Sequence, residues 1–169
     1  MWGHRTFTAF RNGGARCNGE PIAVSRTDDL QRSLLVTGFG YDHDEAWAAN
    51  MELFKHFTDV TQGVRRLGAA AVDLCHVAMG VADAYWEYRL KPWDVCAGVL
   101  VLEEAGGLVT TMRGTPYSVF ERSMLASNDR LHAPLLETIE PTTEALIADG
   151  IKLGPWLVPE GYNLHGRRR

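Results

Sequence analysis

The stretch WEYRLKPWDVCAGVLVLEEAGG, residues 86–107, places an acidic residue where an extended segment turns into a helix. Val95, Val99 and Leu102 recur at the spacing of one helical face, and a Gly-Gly pair closes the segment. This pattern predicts a helix that begins at Asp94 and ends at the two glycines. The residues before it, ending at Trp86, predict a strand, so the stretch forms one strand-loop-helix unit.

Acidic and small residues around this unit are candidates for a site. Asp94 either caps its helix or provides carboxylate oxygens for a hard cation such as Mg²⁺, and position alone favours the cap. Glu87, seven residues earlier, either shares a cleft with Asp94 or stands exposed at the end of its strand. Gly68, Ala69 and Ala70 open another predicted helix, where free backbone N–H groups suit an anion, although small residues also serve tight helix packing.

The rest of the chain alternates short apolar runs with amphipathic segments. Trp47, Met51 and Phe54 fall at i, i+4 and i+7, which predicts a helix over residues 44–57. Two further helices are predicted over residues 132–139 and 143–148, on either side of Pro141. Strands that alternate with helices indicate an α/β fold in which a sheet lies between helices. The triplet Asp42-His43-Asp44 resembles a metal site, but it precedes the helix predicted over residues 44–57 and is expected to provide capping and solvated charge.

The beginning of the chain has a different pattern. Short β-rich runs are separated by turn sequences at residues 11–14 and 18–21, which predict hairpin-like strands over residues 6–24. Because an isolated hairpin is marginally stable in water, we expect another part of a structure to cover these strands.

Composition excludes several classes of protein. The net charge of −4 is dispersed over both signs, and the one basic run, Arg167–Arg169, is expected to be a solvated tail, so no nucleic-acid surface is predicted. No apolar run reaches the roughly 18 residues that span a membrane. The three cysteines are far apart and form no CxxC, which indicates a reducing compartment and no structural zinc.

Taken in order, these motifs resemble the inositol monophosphatase family of Mg²⁺-dependent, lithium-sensitive sugar phosphatases. WDVCAG at residues 93–98, followed by EEAGG at 103–107, resembles the family's C-terminal signature, with Cys96 in place of a small alanine. RRLGAAAVDL at residues 65–74 and DAYWE at 83–87 match as well. TGFGYD at 37–42 and PWLVPE at 155–160 resemble the plant, algal and cyanobacterial branch.

The resemblance implies a fold and its division. We expect the C-terminal half of a layered αβαβα sugar-phosphatase fold. Residues 1–26 would be remnant strands of the first sheet, residues 27–140 the C-terminal α/β phosphatase domain, and residues 141–169 a C-terminal tail.

The resemblance also implies roles for the candidate residues. Asp94 would bind the magnesium cofactor, Glu87 would contact a sugar hydroxyl, and Gly68, Ala69 and Ala70 would line the substrate site. The chemistry would be an in-line attack of water on a phosphate monoester.

The sequence departs from the family in its other metal ligands. These come from an upstream glutamate and a D-P-x-D-G-T motif, and neither occurs in the 169 residues. Because a single carboxylate is too few for a pair of Mg²⁺ ions, we expect a C-terminal portion of a phosphomonoesterase, specific for inositol monophosphate or a related sugar phosphate and inactive alone. The alternative is a non-catalytic structural subunit of a larger assembly, so enzymatic activity of this chain is left open.

Partners and location are expected from the same resemblance. Another polypeptide would cover the N-terminal strands, or the chain would form a homodimer; neither nucleic acid nor a membrane is expected as a partner. The chloroplast is the expected compartment, with the cytoplasm as the alternative.

Overall fold

The computed structural model describes residues 4–156 and 158–160, and these residues contain a three-stranded and a five-stranded sheet. The predicted basic run Arg167–Arg169, and Leu157 of the branch-specific motif, lie outside the described residues. Leu30–Arg32 forms a 3₁₀ turn, which the side chain of Asp29 caps. The strands and helices are β1 (Phe7–Phe10), β2 (Gly14–Cys17), β3 (Glu20–Ile22), β4 (Leu34–Thr37), α1 (Glu45–Val60), β5 (Gly63–Arg65), α2 (Ala70–Ala78), β6 (Ala84–Tyr88), α3 (Pro92–Glu104), β7 (Leu108–Thr110), β8 (Ser123–Ser127) and α4 (His132–Ala148).

The larger sheet has the strand order β5-β4-β6-β8-β7. Its strands β5, β4 and β6 run parallel, whereas β8 is antiparallel to β6 and to β7. Side chains alternate between its two faces, as the pleat of a strand requires. Leu35 and Trp86 pack with α1 and α4, while Val36 and Tyr85 pack with α2 and α3. The prediction of a sheet between helices is therefore confirmed.

The smaller sheet packs against the outer side of α3. Phe7, Ala15 and Ile22 belong to the same apolar cluster as Val95 and Val99 of that helix. The α2–α3 layer therefore lies between the two sheets, and one face of the N-terminal strands is covered within the chain itself.

A single carboxylate ties the first hairpin to α3. The side chain of Glu104 accepts hydrogen bonds from the backbone N–H groups of Asn12 at 2.7 Å, Gly13 at 3.1 Å and Gly14 at 2.9 Å. These bonds hold the pKa of Glu104 below its ordinary value. The last turn of α3 and the β1–β2 turn thus behave as one unit.

Two helices differ from their predicted bounds. Helix α3 begins at Pro92, two residues before Asp94, because a proline at the first helical position lacks only an N–H that would be unpaired there. The two helices predicted on either side of Pro141 are one helix, α4, which holds the proline in its interior. Leu135, Ile139 and Leu146 of α4 are buried against the sheet, and this packing outweighs the lost backbone hydrogen bond. Helix α4 thus crosses position 141, while the division into residues 1–26, 27–140 and 141–169 stays a prediction.

Across the part of the chain that the structure describes, no helix combines the length and the apolar character that crossing a membrane requires.

Candidate active site

A cleft of about 600 Å³ opens at the carboxyl ends of the parallel strands β4 and β6. The five predicted site residues all line it: Gly68, Ala69, Ala70, Glu87 and Asp94. The fold thus brings together residues that lie up to 26 positions apart along the chain. Ligands of open α/β sheets bind at this end of the strands, outside their carboxyl termini.

Asp94 caps α3, as its position suggested, and it also lines the cleft. It is the third residue of α3, and its Oδ2 accepts a hydrogen bond from the backbone N–H of Lys91, the N-cap residue, at 2.9 Å. Asp94 therefore caps the helix from inside the first turn instead of beginning it. Its side chain nevertheless lines the cleft, and the contacts of the described residues occupy only one of its two oxygens.

Glu87 is buried, so the alternative of an exposed glutamate at the end of a strand is wrong. Its exposed fraction is 9%, and the hydroxyl of Tyr85 donates a hydrogen bond to its Oε2. Desolvation, together with the charges of Asp73 and Asp94, raises the pKa of Glu87 to about 7, although the Tyr85 hydrogen bond and Arg66 oppose the shift. The cleft therefore holds a carboxyl group that changes its protonation state near neutral pH.

Gly38, directly after β4, makes room for that carboxyl group. A Cβ at position 38 would overlap the carboxyl of Glu87. The sequence does not predict Gly38 as a site residue, because there it marks only the end of a buried strand. The signal that could identify Gly38 is a glycine at the carboxyl end of a strand that neighbours the strand carrying Glu87.

A buried polar network fixes the backbone at Gly38. The amide of Asn50, from α1, donates a hydrogen bond to the Gly38 carbonyl at 2.7 Å and accepts one from the indole N–H of Trp86 at 2.6 Å. Thr37 Oγ1 donates to the Trp86 carbonyl at 2.7 Å. Helix α1 therefore positions the loop that faces Glu87.

The N-terminus of α2 forms the opposite side of the cleft. Gly68 has a φ of 87°, which favours glycine, and Ala69 is an N-cap residue without a side-chain cap. Asp73, in the first turn of α2, is buried, with an exposed fraction of 1%. Among the described residues, neither of its carboxylate oxygens has a hydrogen-bond partner of ordinary geometry. Desolvation raises its pKa to about 6, although the Ala69 backbone and Arg66 lower it.

Close packing of α2 on α3 brings the two helix N-termini to one place. A Cβ at Gly98 would lie 2.8 Å from Cδ1 of Leu74 and 3.4 Å from Cα of Ala71, so Gly98 allows this approach. Gly98, four residues after Asp94, therefore serves the packing of α3 on α2.

Three cations, Arg66, Arg89 and Lys91, line the cleft with the acids. Arg89 forms an ion pair with Asp44 at 2.7 Å, and Asp44 also caps α1 by accepting a hydrogen bond from the Trp47 N–H at 3.0 Å. The prediction that this acidic triplet is capping is confirmed for Asp44.

Asp94 fits a hard cation as one ligand of a larger set. Its carboxylate is of the right chemistry for magnesium, and Asp94 lines the cleft. Within residues 4–156 and 158–160, however, no group of three or more His, Cys, Asp or Glu side chains is placed to hold a metal ion.

The comparison with known proteins agrees with the fold and with the motifs. The model of the inositol monophosphatase family matches residues 3–144. The "Phosphatase IMPL1, chloroplastic" of Arabidopsis thaliana is 63% identical over 162 residues, which are 96% of this chain and 44% of that protein. The inositol-1-monophosphatase of Synechocystis sp. is 42% identical over 138 residues, 82% of this chain and 48% of that protein.

The comparison with solved structures gives the same family. The inositol monophosphatase of Anabaena (Nostoc) sp. has 47% sequence identity and a TM-score of 0.77, over 81% of this chain and 54% of that one. The chain thus spans about half the length of the curated relatives it matches.

Proposed function

The chain belongs to the inositol monophosphatase family, in its plant and cyanobacterial branch, and we propose that it forms part of a magnesium-dependent phosphomonoesterase for inositol monophosphate or a related sugar phosphate. The observation that carries this proposal is the convergence of Asp94, Glu87 and the N-terminus of α2 on one cleft. The family assignment supports a phosphatase, and the cleft supports the choice of residues.

Asp94 is the proposed metal ligand of this chain. The Lys91 N–H binds Oδ2, which fixes the orientation of a carboxylate that lines the cleft. Magnesium, when bound, supplies stabilisation of the charge on the phosphoryl group and activation of the attacking water.

Glu87 and the α2 turn are the proposed substrate contacts. With a pKa of about 7, Glu87 can accept a hydrogen bond from a sugar hydroxyl when ionised and donate one when protonated. The backbone N–H groups at Ala69 and Ala70 begin a helix without a side-chain cap, and the positive end of that helix favours the phosphate anion.

We propose that further metal ligands come from residues outside this sequence. Among the described residues no group of three or more His, Cys, Asp or Glu side chains is placed to hold a metal ion, and the sequence lacks the D-P-x-D-G-T motif of the family. The additional polypeptide would also cover the outer face of the β1–β3 sheet. A second copy of this chain is the other proposed partner, and the chloroplast is the proposed compartment, since the Arabidopsis relative carries that designation.

A non-catalytic structural subunit is the second candidate function. It is favoured by one observation, that Asp94 already has a structural role as the cap of α3.

The test is phosphate release from inositol 1-phosphate with Mg²⁺, with and without Li⁺. The assay would use the purified chain alone and the chain mixed with a polypeptide that covers the remaining part of the Anabaena relative. Asp94→Asn is the test variant, and Asp149→Asn, which removes an exposed carboxylate at the end of α4, is the matched control.

Each outcome decides between the proposals. Lithium-sensitive activity that needs both polypeptides, and that Asp94→Asn abolishes, supports the proposed function. Activity of the chain alone would support a phosphatase but contradict the need for outside ligands. No activity of the chain, either alone or mixed with the second polypeptide, would favour the structural subunit.

A further inference from the structure

Trp156, in the segment after α4, is fixed by hydrogen bonds to two separate loops. Its indole N–H donates to the carbonyl of Leu90 at 2.6 Å, in the loop between β6 and α3. Its backbone N–H donates to the carbonyl of Phe120 at 2.7 Å, in the loop before β8. The segment therefore joins two neighbouring loops at the same end of the sheet, the loop that leads into α3 and the loop before β8.

Two cations contact the indole ring of Trp156. Nζ of Lys91 lies 3.5 Å from the ring centroid, and Cζ of Arg122 lies 3.7 Å from it. Both distances are within the range in which a cation is attracted to the face of an aromatic ring. The ring of Trp156 therefore contacts the side chain of Lys91 directly.

The loop of residues 89–91 depends on such contacts because its backbone is strained. Arg89 has a φ of 67°, which is uncommon for a residue with a Cβ and persists only where the surroundings hold it. Its backbone N–H donates to the Arg122 carbonyl at 2.6 Å, and its Nη1 donates to the Lys152 carbonyl at 3.2 Å. The segment after α4 thus holds this loop at both Lys152 and Trp156.

The same loop orients the carboxylate of Asp94. The backbone N–H of Lys91, one residue after the carbonyl that Trp156 binds, donates to Asp94 Oδ2 at 2.9 Å. We propose that Trp156 is a positioning residue, which holds residues 89–91 so that the Lys91 N–H directs Asp94 into the cleft. The consequence for metal binding rests on the proposed function, whereas the effect on the loop does not.

The test is amide hydrogen exchange of the whole chain, with the Lys91 N–H as the reporter. Trp156→Phe keeps an aromatic ring for the two cations but removes the indole N–H, so exchange at Lys91 is expected to rise about three- to tenfold. Trp156→Ala removes the ring as well and is expected to raise it about thirtyfold or more. Amides in β6 and β8 are expected to stay within about twofold of the parent chain, because only a local opening is changed.

Two further variants separate the contribution of the Lys91 charge from that of the Trp156 ring. Lys91→Met keeps the apolar stem and removes the charge over the ring, and it should raise exchange less than Trp156→Ala does. Arg130→Met removes an exposed cation that pairs with Asp28 far from this loop, and it should leave Lys91 unchanged.

Two results would overturn the proposal. One is unchanged exchange at Lys91 in Trp156→Ala. The other is an equal rise at Lys91 and throughout β6 and β8, which would mean that Trp156 contributes only to global stability. Because exchange needs no substrate, a failure of the phosphatase assay leaves this test intact. Where the assay succeeds, Trp156→Phe should raise the Mg²⁺ concentration for half-maximal rate about three- to tenfold with kcat nearly unchanged.

Discussion

Gly38 and Glu87 share a single space at the floor of the cleft, because a Cβ at position 38 would overlap the Glu87 carboxyl group. The two residues come from neighbouring strands, β4 and β6, which run parallel. The glycine cannot be replaced without moving the glutamate, and the glutamate has little freedom to move because it is buried and accepts a hydrogen bond from Tyr85.

Gly38→Ala is therefore expected to destabilise the chain by about 1–3 kcal/mol, the usual effect of an extra methyl group in a packed site. The measurement is the free energy of unfolding from denaturant titration. Glu87→Ala in the Gly38→Ala background should recover part of the loss, with a coupling energy of about 1–2 kcal/mol. Gly154→Ala is the control, since a Cβ there meets nothing within 4 Å. Additive effects of the two substitutions would contradict the shared space.

The sequence predicts the strands and helices around this cleft better than the contacts between their residues. Apolar runs and helical spacing identify the strands and helices, because burial on one or two faces leaves a periodic pattern along the chain. The proximity of Gly38 to Glu87 leaves no such pattern, since it depends on which strands become neighbours. The continuity of α4 through Pro141 was missed for a related reason: tertiary packing of the helix outweighs the local preference of proline to end it.

Asp94→Asn is expected to change stability by less than about 0.5 kcal/mol, whereas Asp94→Ala should cost about 1 kcal/mol. The asparagine oxygen can still accept the hydrogen bond from the Lys91 N–H, and alanine cannot. Comparing denaturant unfolding of the two variants measures the cap. Equal losses for both would mean that charge, and not the hydrogen bond, accounts for the stabilisation.

The free energy of unfolding is expected to fall as the pH rises from about 4.5 to about 7. Burial raises the pKa of Glu87 from 4.5 to about 7, so in this window the folded chain holds a proton that the unfolded chain has released. Asp73, whose pKa is raised from 3.8 to about 6, adds to the slope below pH 6. The contribution of Glu87 is on the order of 3 kcal/mol, fully present below pH 4.5 and lost above pH 7.

Glu87→Gln isolates that contribution, because glutamine does not titrate. His76 and His132 have lowered pKa values and give an opposite slope below pH 6.5, but they are the same in both proteins. The difference in unfolding free energy between parent and variant should therefore decline between pH 4.5 and 7 and be constant above it. A constant difference over the whole range would contradict a raised pKa for Glu87.

Asn50→Leu is expected to cost about 2–5 kcal/mol, although leucine has nearly the same size. The substitution leaves the indole N–H of Trp86 and the carbonyl of Gly38 buried without their hydrogen-bond partner. Thr58→Val, an exposed change on the same helix, is the control and should stay within about 0.5 kcal/mol. A loss no larger than that of the control would show that Asn50 does not fix the Gly38 loop.

Glu104→Ala is expected to loosen the N-terminal sheet while the five-stranded sheet keeps its stability. The side chain of Glu104 accepts three backbone hydrogen bonds from the turn between β1 and β2, and alanine accepts none. Limited proteolysis should then cut that turn faster, and amide exchange should rise at Asn12, Gly13 and Gly14 but not in β6. Glu140→Ala, an exposed glutamate on α4, is the control for loss of a surface charge. An unchanged rate of cleavage at the turn would mean that the apolar contacts of β1 and β2 with α3 hold the sheet without Glu104.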